Sequence, residues 1–372
     1  MMEARGMRGT FYVISGYLGH PGYLTAAQAR SLEAAGHEIG GHTVGHRHLP
    51  TLSLDEARRE ICNDRATLMS YGLHPQSFAY PYGEASAELE RLVEQCGYDS
   101  GRIVGPIAEV GRPAAETIPP VDPMATRTPR AVEISTSLQQ IQDWVTAAEA
   151  SEGWLQLVFH DLCEDGASCG RFSTPVSQFG ALLDWLVERA GRGTVVKLER
   201  EVIGVDLRSQ SFSLVSNPVM DPSLEGSEEV PECWQRAGFG TNTFSWTKTD
   251  DAHSGGSAQQ VVITDYTSGA RHLVPTLSTY APPGLPGHRY EVSAWYKSSA
   301  APRWTVYYRD RDGLWTSWAQ GARLPASASW TQASFTTPPL PSAATAISFG
   351  LSLVSTGSLT VDDFSLLDRG AP

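Results

Sequence analysis

No apolar run in the sequence approaches the roughly 20 residues that a membrane-spanning helix needs. Positive charge is scarce. Lys and Arg number 28 against 41 Asp and Glu, for a net charge of −13. That balance argues against a nucleic-acid binder, whose affinity comes mostly from neutralising phosphates. It also disfavours long-range steering of polyanions. The opening residues, Met1-Met2-Glu3-Ala4-Arg5-Gly6-Met7-Arg8-Gly9, lack the apolar h-region of a secretory leader. Cysteine is sparse, five in all, and none stands in a CxxC pair, so a zinc ribbon or thioredoxin-type site is not expected. The 35 Gly and 24 Pro have no period, which excludes collagen-like sequence.

What is present is enough for two domains. The chain has 372 residues, 41% apolar and 19% charged, and domains usually run to about 100–200 residues. Up to residue 205, strand-like and helix-like segments alternate. Strands are expected over 10–14, 37–41, 77–80, 154–159, 194–198 and 202–205, and helices over 25–35, 53–71, 85–95, 136–150 and 176–190. Ser53 with Glu56 reads as a capping box. Strands alternating with helices imply βα units and a parallel sheet, and point to a (β/α) barrel. After about residue 211 the helical pattern ends. Short alternating strands separated by Ser, Thr, Gly and Pro indicate an antiparallel sandwich. Seven of the ten Trp fall there, enough to fill a core and also supply exposed rings. The boundary is placed within Leu207–Val219, dividing the chain into 1–207 and 208–372.

The chemistry concentrates in Gly36-His37-Glu38-Ile39-Gly40-Gly41-His42-Thr43-Val44-Gly45-His46. His42 and His46 stand four residues apart after a strand that ends in glycines, a spacing that lets two imidazoles converge on one metal. His20, His37, His48 and His74 read as surface or loop residues. Phe78-Ala79-Tyr80-Pro81-Tyr82-Gly83 ends a second strand, and Trp154 through Phe159-His160-Asp161 ends a third. In a parallel barrel the C-terminal strand ends share one face, which would bring these groups together.

In this order, the three segments resemble the polysaccharide deacetylase family with the NodB homology domain (carbohydrate esterase family four), over about residues 6–205. The resemblance implies a distorted (β/α) barrel that removes acetyl groups from N-acetylated sugars, or O-acetyl groups from xylan, with a divalent metal, most often zinc. It implies that His42 and His46 are metal ligands and that His160 is the general acid. The Tyr82 N–H would hold the oxyanion, and Pro81 and Leu157 would line the substrate site. The polymer is expected to be chitin-like, peptidoglycan or exopolysaccharide, and the setting extracellular or at the cell wall. Cys62 with Cys96, and Cys163 with Cys169, are spaced to form disulfides in such a setting; free thiols remain the alternative.

The family pattern is broken in two places. Its opening strand carries a Thr-Phe-Asp-Asp-Gly type motif, whose Asp residues are the base and the third metal ligand. This sequence has none before Thr10. Either the sequence starts late and lacks the first barrel strand, or the protein is an inactive, sugar-binding relative. Ala79 stands where the family often has an Arg that orients the base; Arg102 and Arg127 are the other candidates, more readily read as structural.

The C-terminal part resembles jelly-roll, galactose-binding-like carbohydrate-binding modules. That resemblance implies a structural calcium, with Glu225 and Asp362 or Asp363 as candidate ligands; the alternative is an ordinary solvated acidic pair.

Overall fold

The structure, a computed structural model, describes residues 1–164, 169–205 and 215–372. Two compact units are distinguished. One comprises Met1–Ile14, Ala27–Ala57 and Leu73–Ser211, the other Ser15–Ala26, Arg58–Gly72 and Phe212–Pro372. The boundary expected at 207/208 falls within 206–214, outside the described residues.

The first part of the chain runs β1 (Thr10–Val13), α1 (Ala26–Ala34), β2 (Glu38–Gly41), α2 (Leu54–Ser70), β3 (Ser77–Ala79), α3 (Ala87–Gln95), β4 (Ser100–Pro106) and β5 (Thr126–Thr128). It continues with α4 (Leu138–Ala150), β6 (Asp161–Cys163), β7 (Ser173–Pro175), α5 (Val176–Ala190) and α6 (Glu199–Ile203). The helices start where capping side chains satisfy orphan N–H groups. Ser53 Oγ accepts from Glu56 N–H, Ser86 from Leu89 and Ser137 from Gln140. β1 to β5 form one sheet in chain order, every pair parallel. The C-terminal ends of β2 and β3 therefore open on the same side. Gly40 makes the β1–β2 packing feasible, since a Cβ there would lie 2.7 Å from the Tyr12 ring.

Three expectations fail here. The sheet is open, with β1 and β5 as its edges, so the expected barrel does not close. Residues 154–159 form no strand; Trp154 makes a single antiparallel bridge to Glu116. Their apolar side chains turn elsewhere. Leu155, Leu157 and Phe159 pack against Val132, Ile141, Trp144 and Leu182. A short apolar run is compatible with a strand, but burial against helices explains it equally well. Likewise 194–198 is irregular and 202–203 belongs to α6. β4 and β5 add two strands to those expected; Gly101, Gly105 and Pro106 interrupt the strand pattern of β4.

Under this sheet lies a buried charge cluster. Glu38 accepts from Ser77 Oγ (2.8 Å), Thr10 Oγ1 (3.1 Å) and the Arg200 N–H (3.0 Å). Glu199 accepts from Ser100 Oγ (2.6 Å) and from the Tyr12 hydroxyl. The Arg102 guanidinium stacks 4.7 Å from the Tyr12 ring centroid.

The second unit contains a sandwich of two antiparallel sheets. Its strands are β8 (Trp234–Phe239), β9 (Asn242–Thr249), β10 (Ala258–Tyr266), β11 (Ala270–Pro275), β12 (Tyr290–Ser298), β13 (Arg303–Asp310), β14 (Trp315–Arg323), β15 (Ser327–Thr336), β16 (Ala344–Leu353) and β17 (Gly357–Asp368). One sheet is ordered β15-β12-β17-β10-β9, the other β14-β13-β16-β11-β8. Trp304, Val306, Phe349, Leu351 and Phe364 fill the core between them. Trp234 packs 4.5 Å from the Phe364 ring and donates its indole N–H to the Asp221 carbonyl at 2.9 Å. Along one edge, Arg271 stacks 3.8 Å over Phe244 and Arg236 5.5 Å over Trp246. These stacks cover rings of the edge strand β9, and the guanidinium groups are held by Asn242 (Arg271) and by Gln259 and Glu229 (Arg236).

Burial, followed by repulsion from Glu38, raises Glu199 to about 7. A carboxyl with a raised folded pKa contributes stability that is complete below its unfolded pKa and is lost as pH rises through the folded one. Glu199→Gln removes that loss. Relative to the parent, the variant gains up to about 3 kcal/mol between pH 4.5 and 8, read from urea denaturation at several pH values.

Candidate active site

The chain leaves β2 at Gly41 and does not enter a helix. Thr43 (φ 65°) and His46 (φ 57°) take left-handed backbone, and the Thr43 hydroxyl accepts from the His46 N–H at 2.9 Å. The four-residue spacing thus brings the two rings together through a strained loop. Their centroids are 4.7 Å apart with planes at 76°. After β3, Pro81 starts a single tight turn in which Tyr82 (φ 59°, ψ 5°) is also left-handed. The Tyr82 ring lies 4.7 Å from His46, and His48 stacks on it at 3.7 Å, with planes 3° apart.

His42 donates from Nδ1 to the Ala79 carbonyl, 2.6 Å away. That bond fixes the ring and leaves Nε2 as the atom able to bind a cation. Burial, then the charge of Arg102, lowers His42 to about 3. His46 is lowered chiefly by burial, with His160 contributing. His160 is lowered by partial burial and then by Arg102. His160 acts electrostatically on both His42 and His46, but the three imidazoles do not converge as a metal-holding group. Each is held toward the neutral form that ligates metal and accepts protons. His160 immediately precedes β6, and its ring lies 5.1 Å from Phe172. The disulfide Cys163–Cys169 closes the segment that follows.

In tautomer and charge the two imidazoles are of the kind that ligate a divalent metal, but two ligands alone do not make a site. Zinc in a hydrolytic site usually takes three protein ligands. Among the described residues no group of three His, Cys, Asp or Glu converges to hold one. His42 and His46 therefore make an incomplete donor set.

The remaining predicted positions are distributed as follows. Pro81 is buried behind Tyr82. Leu157 packs on the Val132–Ile141–Trp144–Leu182 cluster. Arg127 is held by Glu116, the closest contact being 2.6 Å. Arg102, set aside in the sequence, is the cation that reaches the histidines. It lies in register beside Ala79 on the adjacent strand, a neighbour relation that sequence order does not reveal. His37, read as a surface residue, is buried; it accepts from the Gly9 N–H and contacts Glu3. In the sandwich unit, Glu225 accepts from the N–H groups of Gly256 and Ser257. Asp362 accepts from those of His253 and Ser254, and Asp363 holds the side chains of the same two residues. These carboxylates clamp the 253–257 loop. Gly255 has no room for a Cβ, which would lie 2.3 Å from Glu225 Oε1.

His42 and His46 thus follow the C-terminal end of β2, and Tyr82 that of β3, in the parallel sheet. Residues 1–101 match the polysaccharide deacetylase family. One relative, named "Putative polysaccharide deacetylase YxkH", of Bacillus subtilis (strain 168), is 28% identical over 103 residues. That match takes in 27% of this chain and 37% of the relative. Two solved structures are similar over part of the chain. One is TmCBM61 in complex with β-1,4-galactotriose, at 18% identity and TM-score 0.29, covering 41% of this chain and 99% of that one. The other is the CBM22-1 xylan-binding domain of Paenibacillus barcinonensis Xyn10C, at 17% identity and TM-score 0.29, covering 40% and 93%.

The field of Arg102 can be tested directly. Arg102→Met raises the pKa of both His42 and His160, measured by NMR titration of labelled histidine rings in metal-free protein.

Proposed function

We propose that the chain is a hydrolase that removes N-acetyl groups from a polysaccharide, with its β-sandwich holding the polymer. The observation that carries this reading is the ring series His42, His46 and Tyr82 within residues 1–101, which match the polysaccharide deacetylase family, with His160 acting electrostatically on both imidazoles. His42 and His46 would hold a divalent metal, zinc in the first instance, and when bound it would polarise the acetyl carbonyl and acidify water. The Ala79 carbonyl keeps His42 in the required tautomer. The Tyr82 N–H would donate to the oxyanion, an interaction worth about 3 kcal/mol; the contact of the Tyr82 ring with His46 supports this role. His160 rests neutral and would take up a proton before passing it to the leaving nitrogen.

The setting would be extracellular or at the cell wall, which the Cys163–Cys169 disulfide supports. A structural calcium at Glu225, Asp362 and Asp363 remains part of the proposal for the sandwich. A second reading, an inactive sugar-binding relative, is favoured by one observation. Among the described residues no third His, Cys, Asp or Glu joins His42 and His46 as a metal-holding group.

Acetate release separates these readings. Zinc-loaded protein is expected to deacetylate N-acetylglucosamine oligomers faster than acetylated xylan; the reverse order would assign an O-acetyl esterase. His160→Ala lowers kcat about 10²–10⁴-fold, and His42→Ala abolishes zinc binding in calorimetry. Absence of both zinc binding and acetate release supports the inactive relative.

A further inference from the structure

Four rings form a continuous series from inside to outside: His42, His46, Tyr82 and His48. The first two are partly buried and the last two exposed. Tyr82 is 55% exposed, although aromatic rings of this size normally seek cover. It is nonetheless rigid. Pro81 and the left-handed backbone set its position, and His48 lies flat on it. His48 is itself fixed from the side, because Nδ1 meets Glu84 Oε2 at 3.0 Å. The His48 side chain is 50% exposed and that of Glu84 40%. The result is a flat, immobilised, double-thickness aromatic slab edged by a carboxylate, adjoining His46.

We propose that the outward face of His48, backed by Tyr82 and edged by Glu84, is a sugar subsite that takes the pyranose ring next to the acetylated residue. The chemistry matches on both counts. The C–H face of a pyranose is flat and apolar and stacks on an aromatic face. Its equatorial hydroxyls project from the rim, where Glu84 and the second nitrogen of His48 can bond them. Because the slab is held before the ligand arrives, little side-chain entropy is lost on binding. Binding energy gathered here, away from the reacting bond, would hold the neighbouring acetyl group over the histidines.

This rests on the deacetylase reading, and the two are tested apart. Full-length protein with 13C-labelled histidine is titrated with the tetramer of N-acetylglucosamine while the His48 ring signals are followed. The expected result is a saturable shift of the His48 signals. His48→Ala weakens the tetramer binding at this subsite and raises KM about tenfold, and His48→Phe, which keeps the stack, restores KM to within about threefold. If acetate is released while the His48 signals stay fixed and His48→Ala leaves KM unchanged, the subsite is wrong and the deacetylase reading stands. If the His48 signals shift saturably but no acetate forms, the subsite stands and the reaction assigned to it falls.

Discussion

The candidate site depends on backbone held where side-chain-bearing residues seldom go. Thr43, His46 and Tyr82 all have φ near 60°, each costing on the order of 1–3 kcal/mol. Such strain persists only where the surroundings over-determine it. Here the constraints are visible. Thr43 is fully buried and its hydroxyl bonds the His46 N–H, the Ala79 carbonyl anchors His42, and Pro81 leads into the Tyr82 turn. Relaxing any of the three would swing an imidazole or the phenol out of the ring series. Loop strain thus does what a helical turn would otherwise do for two histidines four residues apart.

Charge is the second constraint, and its source lies one strand away. Arg102 sits beside Ala79 in the sheet and depresses His42 and His160 together. Its own burial is tolerable because the Tyr12 ring and the Glu199 carboxylate accompany it. Glu199, in turn, is bonded by Ser100 and Tyr12 and repelled by Glu38. One network of buried groups therefore links the stability of the sheet to the protonation state of the site above it. In the sandwich, acidic side chains have a different task. Glu225, Asp362 and Asp363 organise the 253–257 loop through its N–H groups, as charged acceptors do when they replace missing backbone partners.

Much of this was legible from residue order. The helices begin at Ser53, Ser86 and Ser137 because a hydroxyl can cap the first turn wherever the chain places it. The change from 3.6-residue to two-residue periodicity marks the onset of the sandwich. The four-residue spacing of His42 and His46, and the Pro81-Tyr82 turn, announced a site at two strand ends. These are local properties, decided within a few residues of chain. Tertiary structure decided the rest. It turned Trp154–Phe159 from the expected strand into helix-packed chain, because apolar side chains can be buried against α4 and α5 as readily as within a sheet. It left the sheet open, buried His37, and set Arg102 beside Ala79, 23 residues earlier in the sequence. It also laid His48 on Tyr82, 34 positions further along the chain. Sequence periodicity reports which side of an element seeks cover; which partner provides it depends on how distant segments pack.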